Sequence, residues 1–199
     1  MTSDNFLLKL IEGGFLKEHT KDPAQAEKLL VRAFRDLKTA KANMEIDEEA
    51  AYTFAYLAML RSGRGLMFLK GYRPRDGRQH KTVVEVAGYF LGNAYEDLVY
   101  KFEQMRRKRN QFTYEPDLPP SFQEAQEALK TAESFVRGIL KQVRGEMPQQ
   151  VGDAASYLPN SGAFIRILPF ATSLEIPPVL IPSSRINSLP VDPASFAHK

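Results

Sequence analysis

The segment from Asp47 to about Lys70 constrains the fold most, because between residues 50 and 60 it is apolar on nearly every side. Asp47 is suited to cap the first turn of a helix, since its carboxylate accepts hydrogen bonds from free backbone N–H groups. A helix with no polar face has to be surrounded by other elements. We therefore predict that this helix is the centre of a bundle.

Apolar residues recur at three- and four-residue steps in five other segments, which is the pattern of a helix with one buried face. Together with capping signals such as Asp22-Pro23 and Gly92, the spacing predicts helices over about residues 4–13, 22–44, 47–70, 79–91, 95–113 and 121–143. No strand is predicted before residue 145. The expected fold is all-α, a four-to-five-helix antiparallel bundle over residues 22–145, with the short helix 4–13 docked on it.

The composition changes after Gly145, where eight of the thirteen prolines fall in residues 146–199. Helices do not tolerate prolines at that spacing. We divide the chain into a bundle domain at 1–145 and an irregular Pro-rich tail at 146–199. The tail's apolar but aperiodic segments leave three interpretations: a flexible partner-binding tail, a tail packed on the bundle, or sequence with no evolved structural role. We favour the last, which makes the tail disordered or non-native.

Composition excludes several kinds of site. The chain has no cysteine, so disulfides, thiolate metal sites and a cysteine nucleophile are excluded. Its three histidines lack the spacing of a metal pair, and no nucleotide-cradling glycine loop is present, so we expect no metal and no cofactor. There is no apolar run long enough for a membrane helix and no secretory leader pattern. We expect a cytoplasmic protein without membrane contact.

Positive charge is concentrated in two places, although the net charge is only +3. Residues 106–109 are four consecutive basic residues at the end of the fifth helix, followed by Asn110. Because a helix turns about 100° per residue, these side chains cannot all face solvent. The second place is the loop at residues 71–78, which carries Arg73, Arg75 and Arg78. Both places suit a polyanion contact, but a solvated helix end or an internal network explains the run at 106–109 equally well.

Two other residues have chemistry of interest. His80 is suited to proton transfer, yet a histidine in the first turn of a helix is more often a surface polar residue. Tyr114 stands just before Glu115-Pro116, where it is more often a half-buried anchor than a reactive phenol. Both are kept as catalytic candidates beside Arg109.

The order of elements and several phrases resemble the HEPN (higher eukaryotes and prokaryotes nucleotide-binding) superfamily. The resemblance covers about residues 5–145, and the phrases that carry it are 51–60, 65–74, 79–85 and 106–114. It implies a helical bundle that often dimerises. Many members act as metal-independent ribonucleases in toxin–antitoxin or defence systems, often beside a minimal nucleotidyltransferase.

The chain departs from the superfamily's ribonuclease motif, an arginine followed after four to six residues by a histidine, because no histidine lies in residues 81–197. Aligning Arg109-Asn110 with the motif places Tyr114 at the histidine position. Aligning Arg107 instead places Phe112 there. Phenylalanine cannot transfer protons, and a tyrosine that titrates near pH 10 is a poor base at neutral pH.

Three interpretations follow from the sequence. The first is a dimeric, catalytically degenerate HEPN-like module of a two-component system. It would contact RNA, a nucleotide or a nucleotidyltransferase through Arg106, Arg107, Arg109 and Asn110, with the arginines of the 71–78 loop as further contacts. The second is a metal-independent ribonuclease in which His80, from a neighbouring helix, acts as the base beside Arg109. The third is a structural protein-interaction dimer. We favour the first and expect no enzymatic activity.

Overall fold

The structure, a computed structural model, describes residues 4–75, 77–115, 117–144 and 146. Within these residues the chain forms six α-helices and two short strands. In chain order they are α1 Asp4–Glu12, β1 Leu16–Glu18, α2 Pro23–Asn43, α3 Glu48–Lys70, β2 Tyr72–Pro74, α4 Gln79–Leu91, α5 Glu96–Tyr114 and α6 Phe122–Val143. The predicted all-α bundle is confirmed, and α3 is its centre.

Helix α3 is buried on nearly all sides, as its sequence predicts. Thirteen of its residues are buried, including Tyr56, Met59 and Leu66. Its glycines allow close approach: a Cβ on Gly63 would lie 2.8 Å from Cγ1 of Val83 in α4. The neighbouring helices therefore pack directly against the α3 backbone.

The predicted helix ends are observed with their expected capping bonds. Asp22 and Asp47 accept hydrogen bonds from backbone N–H groups of α2 and α3, at 2.9 and 2.8 Å. Ser121 and Glu124 form the reciprocal capping box that starts α6. Gly71 ends α3 with φ of 83°, a conformation that side-chain-bearing residues avoid. Local sequence thus determines where these helices begin and end.

Long-range contacts give the directions of the helices. The backbone N–H of Asp22 donates to the carbonyl of Phe68 at 3.1 Å, so α2 and α3 run antiparallel. Helices α5 and α6 are also antiparallel, because Lys108 pairs with Glu124 at one end and the Tyr95 ring packs on Gly138 at the other. The Lys70 ammonium lies 2.5 Å from Glu146, just beyond α6. The C-terminal ends of α3 and α6 therefore lie together.

The prediction that no strand precedes residue 145 was wrong. Strands β1 and β2 pair antiparallel, with Leu16 opposite Pro74, Lys17 opposite Arg73 and Glu18 opposite Tyr72. We call this pair the ribbon. Three-residue strands are too short to show the alternating pattern by which strands are recognised. The loop predicted at 71–78 is therefore partly a strand, and it pairs with the segment after α1.

Two residues depart from the burial that is usual for their type. Phe122 is apolar and continues the three- and four-residue spacing of α6, yet it is 47% exposed at the first position of that helix. Asp36 of α2 is charged yet only 1% exposed, and it forms an ion pair with Arg61 of α3. The Pro-rich tail, apart from Glu146, and the boundary at Gly145 lie outside the described residues. No helix in the described part of the chain is long and apolar enough to cross a membrane.

Candidate functional site

Three of the four basic residues at 106–109 already have a carboxylate partner. Glu103 accepts two hydrogen bonds from Arg106, at 2.7 and 2.9 Å, and one from Arg107 at 2.8 Å. Lys108 pairs with Glu124 of α6 at 2.9 Å. The bonds from Arg106 and Arg107 lower the pKa of Glu103 to about 2, with the Arg106 bond the largest cause and burial opposing the shift. The run therefore carries less available charge than its sequence suggests.

Arg109 differs from the rest of the run. Its Nε is buried and has no hydrogen-bond partner among the described residues, and no ion pair of Arg109 is found within them. Arg109 and Arg106 follow Phe102 by seven and four residues, so all three share one face of α5. The Phe102 ring packs against Tyr56 of α3, with centroids 5.9 Å apart. Arg109 thus extends along the face of α5 that packs on α3.

Tyr56 is fully buried, and its hydroxyl oxygen lies 2.9 Å from Nδ1 of His80. Burial raises the pKa of Tyr56 to about 12, although the positive charges of Arg106, Arg109 and Arg64 oppose the shift. Burial also lowers the pKa of His80 below 6.5, and the charges of Arg64, Arg109 and Arg106 lower it further. At neutral pH the phenol is therefore protonated and the imidazole is neutral.

These charge states determine the direction of the hydrogen bond. The buried Tyr56 hydroxyl has its proton to donate, and Nδ1 of His80 is the acceptor found for it in the described part of the chain. A neutral imidazole that accepts at Nδ1 carries its hydrogen on Nε2. Tyr56 therefore fixes the tautomer in which His80 presents an N–H donor. The opposite tautomer would leave the phenol proton without an acceptor.

Arg64 of α3 supplies a second cation. Its Nη2 donates to Oε1 of Gln79 at 2.6 Å, while its Nε is buried without a partner among the described residues. Burial lowers the pKa of Arg64, opposed by the phenol of Tyr56. We call Tyr56, Arg64, His80 and Arg109 the central cluster. It combines two guanidinium groups and one imidazole N–H donor, with the Glu103 carboxylate at its border already bonded to other arginines.

The remaining predicted site residues of α5 lie outside the central cluster. Asn110 is exposed on α5, and Tyr114 is 77% exposed at its last position, so its interpretation as a half-buried anchor was wrong. Phe112, the alternative position of the motif histidine, is buried edge-on against Tyr52 with centroids 5.5 Å apart. Neither alignment of the motif brings a proton-transfer group to the central cluster. His80, from α4, reaches it instead.

The arginines of the 71–78 loop do not form one surface. Arg78 lies over the Phe15 ring, 3.6 Å from the guanidinium carbon to the centroid, and pairs with Glu85 at 3.1 Å. Arg73 and Arg75 line a separate pocket beside the ribbon. Arg78 therefore ties the start of α4 to the segment after α1.

Sequence reasoning missed Tyr56, Arg64 and Gln79. A usable signal was present, because Arg61 and Arg64 are the charged residues in the otherwise uncharged stretch between Glu49 and Lys70. A cation on a buried helix needs a partner. Arg61 has one in Asp36, whose pKa is raised by burial, with the bond to Arg61 opposing the shift. Arg64 has an amide partner and no carboxylate among the described residues.

The described residues contain no group of three or more histidine, aspartate or glutamate side chains that could hold a metal ion. The fold and the central cluster define a helical-bundle domain in which the charges of Arg64 and Arg109 lie near the His80 imidazole. Residues 26–143 match the HEPN domain family. This match spans more than half of the chain, and the protein belongs to that family. No curated protein and no solved structure matches the chain.

Proposed function

We propose that this HEPN domain is a non-catalytic binding module for the phosphate groups of RNA or of a nucleotide. Arg64, Arg109 and the Nε2–H group of His80 are the donors. The observation that supports the proposal most is that two of the four buried guanidinium Nε atoms without a partner among the described residues, those of Arg64 and Arg109, belong to the central cluster.

The cost of leaving such donors unsatisfied favours an anion at this position. A buried donor without an acceptor costs about 1–3 kcal/mol, and more when it is charged. A phosphate oxygen accepts hydrogen bonds from a guanidinium in a two-pronged geometry that a lysine cannot reproduce. Binding of a phosphate would therefore give an acceptor to two Nε donors that have none within the described part of the domain.

The tautomer of His80 supports binding over catalysis. A general base must accept a proton at its free nitrogen, whereas the bond from Tyr56 leaves hydrogen on Nε2. An N–H donor suits a phosphate oxygen. The family's motif positions add no base, since Phe112 is in the core and Tyr114 is exposed.

The test compares two arginines on the same helix. Fluorescence anisotropy with a single-stranded RNA and with a nucleoside monophosphate should show binding that weakens with salt, with a log–log slope for RNA of about 0.7 per neutralised phosphate. Arg109→Gln should weaken binding at least tenfold, since a hydrogen bond to a charged group contributes about 1.5–3 kcal/mol. Arg107→Gln should change it less than about threefold, because an exposed, paired arginine contributes at most about 1 kcal/mol. Equal effects of the two substitutions would refute the assignment of the site.

One observation favours a second function, a metal-independent ribonuclease. His80 has a lowered pKa and lies among arginines, which is the environment of a neutral histidine poised to accept a proton beside a transition-state cation. RNA cleavage in EDTA that is lost in both His80→Ala and Arg109→Gln would establish this function and exclude the binding-only module. We expect no such cleavage.

We also propose that the protein works as a homodimer in a toxin–antitoxin or defence-type two-component system, with a minimal nucleotidyltransferase as its partner. Membership of the HEPN family supports this setting. Light scattering at micromolar concentration should give the mass of a dimer; a monomer would contradict the proposal. A dimer that binds neither RNA nor nucleotide would instead favour a purely structural interaction protein.

A further inference from the structure

A second concentration of positive charge lies beside the ribbon. A pocket of about 390 Å³ opens there, and it is lined by Lys17, Arg73, Pro74, Arg75 and Gln79. Three of these five residues are cationic. Among the described residues, none of the three has a carboxylate partner, and Nε of Arg73 is buried with no hydrogen-bond partner.

The register of the ribbon places two cationic side chains beside each other, which is unfavourable without a bound anion. Lys17 of β1 stands directly opposite Arg73 of β2. Directly opposed residues in an antiparallel pair have Cβ atoms about 5 Å apart, and like charges at that distance are destabilising. The buried Leu16 and the backbone hydrogen bonds that flank the ribbon hold the two strands together against this repulsion. An anion held between the two cations would convert the repulsion into attraction.

The neighbouring Arg78 provides a contrast within the same segment. Its Nη2 pairs with the Glu85 carboxylate and its guanidinium lies over the Phe15 ring, although its Nε, like that of Arg73, is buried without a hydrogen-bond partner among the described residues. Arg73 and Arg75 have no such contacts in the described part of the chain. The segment thus separates one structural arginine from two that face an open pocket.

Gln79 connects this pocket to the central cluster. Its side chain lines the pocket, and its Oε1 accepts the hydrogen bond from Arg64. The next residue is His80, which belongs to the central cluster. The two cationic sites therefore adjoin across the first turn of α4, where free backbone N–H groups also favour anions.

We propose that the pocket beside the ribbon, the ribbon pocket, binds a second phosphate of the same ligand whose first phosphate lies in the central cluster. The ligand is then a single-stranded oligonucleotide, since two adjacent sites require a chain of phosphates. This inference rests on the proposed function, and it narrows the ligand from a phosphate-bearing molecule to a polynucleotide.

The experiment uses the full chain with three single substitutions, Arg73→Gln, Arg109→Gln and Lys41→Gln. Lys41 is the charge-matched control, because it is exposed near the C-terminal end of α2, about 27 Å along that helix from the end nearest the ribbon. Binding of a single-stranded RNA octamer and of a nucleoside monophosphate is measured as a function of salt, and thermal unfolding is measured without ligand.

Arg73→Gln should weaken octamer binding about fivefold, the size of one partly exposed charge contact, and reduce the salt slope by about 0.7. It should leave monophosphate binding unchanged and should not lower the melting temperature, because it removes a like-charge pair. Arg109→Gln should weaken binding of both ligands, and Lys41→Gln of neither.

Two results separate failure of this inference from failure of the proposed function. If Arg73→Gln leaves octamer affinity and salt slope unchanged while Arg109→Gln lowers both, the ribbon pocket is not a phosphate site and the central cluster is. If Arg109→Gln changes nothing, the proposed function fails, and with it the two-site ligand. A nucleoside triphosphate that binds as tightly as the octamer, with the same loss in Arg73→Gln, would overturn the polynucleotide assignment.

Discussion

Arg61 and Arg64 lie one turn apart on the same buried helix, yet they have different kinds of partner. Arg61 forms an ion pair with Asp36, a carboxylate that is itself buried on α2. Arg64 has an amide for one of its nitrogens and nothing among the described residues for its buried Nε. The difference shows that two cations on one buried helix differ in whether the neighbouring helix places a carboxylate beside them.

The same contrast recurs on α5. Arg106 and Arg107 share Glu103, whereas Arg109, two residues beyond Arg107, has no carboxylate partner among the described residues. Density of basic residues along the sequence therefore does not show which members of the run already have a carboxylate partner. If pairing with a carboxylate separates the two groups of arginines, substitutions in the two groups should have different effects.

The largest effect is expected at Arg61. Arg61→Gln leaves Asp36 buried without its main partner, since Arg32 is more distant at 3.5 Å and half-exposed. Breaking a buried pair in this way costs about 3 kcal/mol or more. Arg64→Gln should cost less than about 1 kcal/mol, because no carboxylate loses its partner. Urea unfolding measures both, and equal losses of stability would remove the distinction.

A smaller effect is expected from Glu103→Gln, which converts paired arginines into unpaired ones. RNA binding should tighten a few-fold, because Arg106 and Arg107 are released, while stability should fall by about 1 kcal/mol through loss of a partly exposed ion pair. Unchanged RNA affinity would mean that carboxylate pairing does not limit the available charge.

Glu103 also predicts a pH dependence. Its pKa in the folded protein is about 2, below the usual 4.5, so the carboxylate stabilises the fold above pH 4.5. That contribution is lost progressively as pH falls from 4.5 through 2. Thermal unfolding of Glu103→Gln should lack this part of the acid sensitivity; a variant that follows the wild-type curve would place the acid-sensitive carboxylate elsewhere.

The smallest effect is expected from Tyr56→Phe. Removing the hydroxyl leaves Nδ1 of His80 without its donor, which costs about 1 kcal/mol of stability. The hydrogen of the neutral imidazole is then no longer fixed on Nε2. RNA affinity should fall by a factor of about two to five, because His80 then spends part of its time without hydrogen on Nε2. An affinity unchanged from wild type would show that His80 does not donate to the ligand.

The helices were predictable because their signals are local. Asp22, Asp47 and Ser121 each cap their helix through the residue three positions away, and the apolar periodicity is read within one segment. The ribbon was not predictable, since its strands are too short to show a period and pair across more than fifty residues.

The central cluster depends on contacts between distant segments. His80 meets Tyr56 from 24 residues away, and Asp36 neutralises Arg61 from 25 residues away. Sequence spacing identified Arg109 and His80 as candidates, but it gave no means to decide which arginines were already paired. Tyr114 was misjudged because a residue near a helix end can be buried or exposed according to what packs beside it.

The titration of His80 tests the central claim most directly. The chain has three histidines, so the His80 imidazole signal can be assigned by NMR with the single substitution His80→Gln. If His80 faces Tyr56 and Arg64 on α3 and Arg106 and Arg109 on α5, its pKa should lie below 6.5 and should rise in Arg109→Gln. It should rise again when a single-stranded RNA binds, because a phosphate beside the imidazole favours its protonated form. A pKa at the ordinary value that responds neither to Arg109→Gln nor to RNA would contradict an anion site at the central cluster.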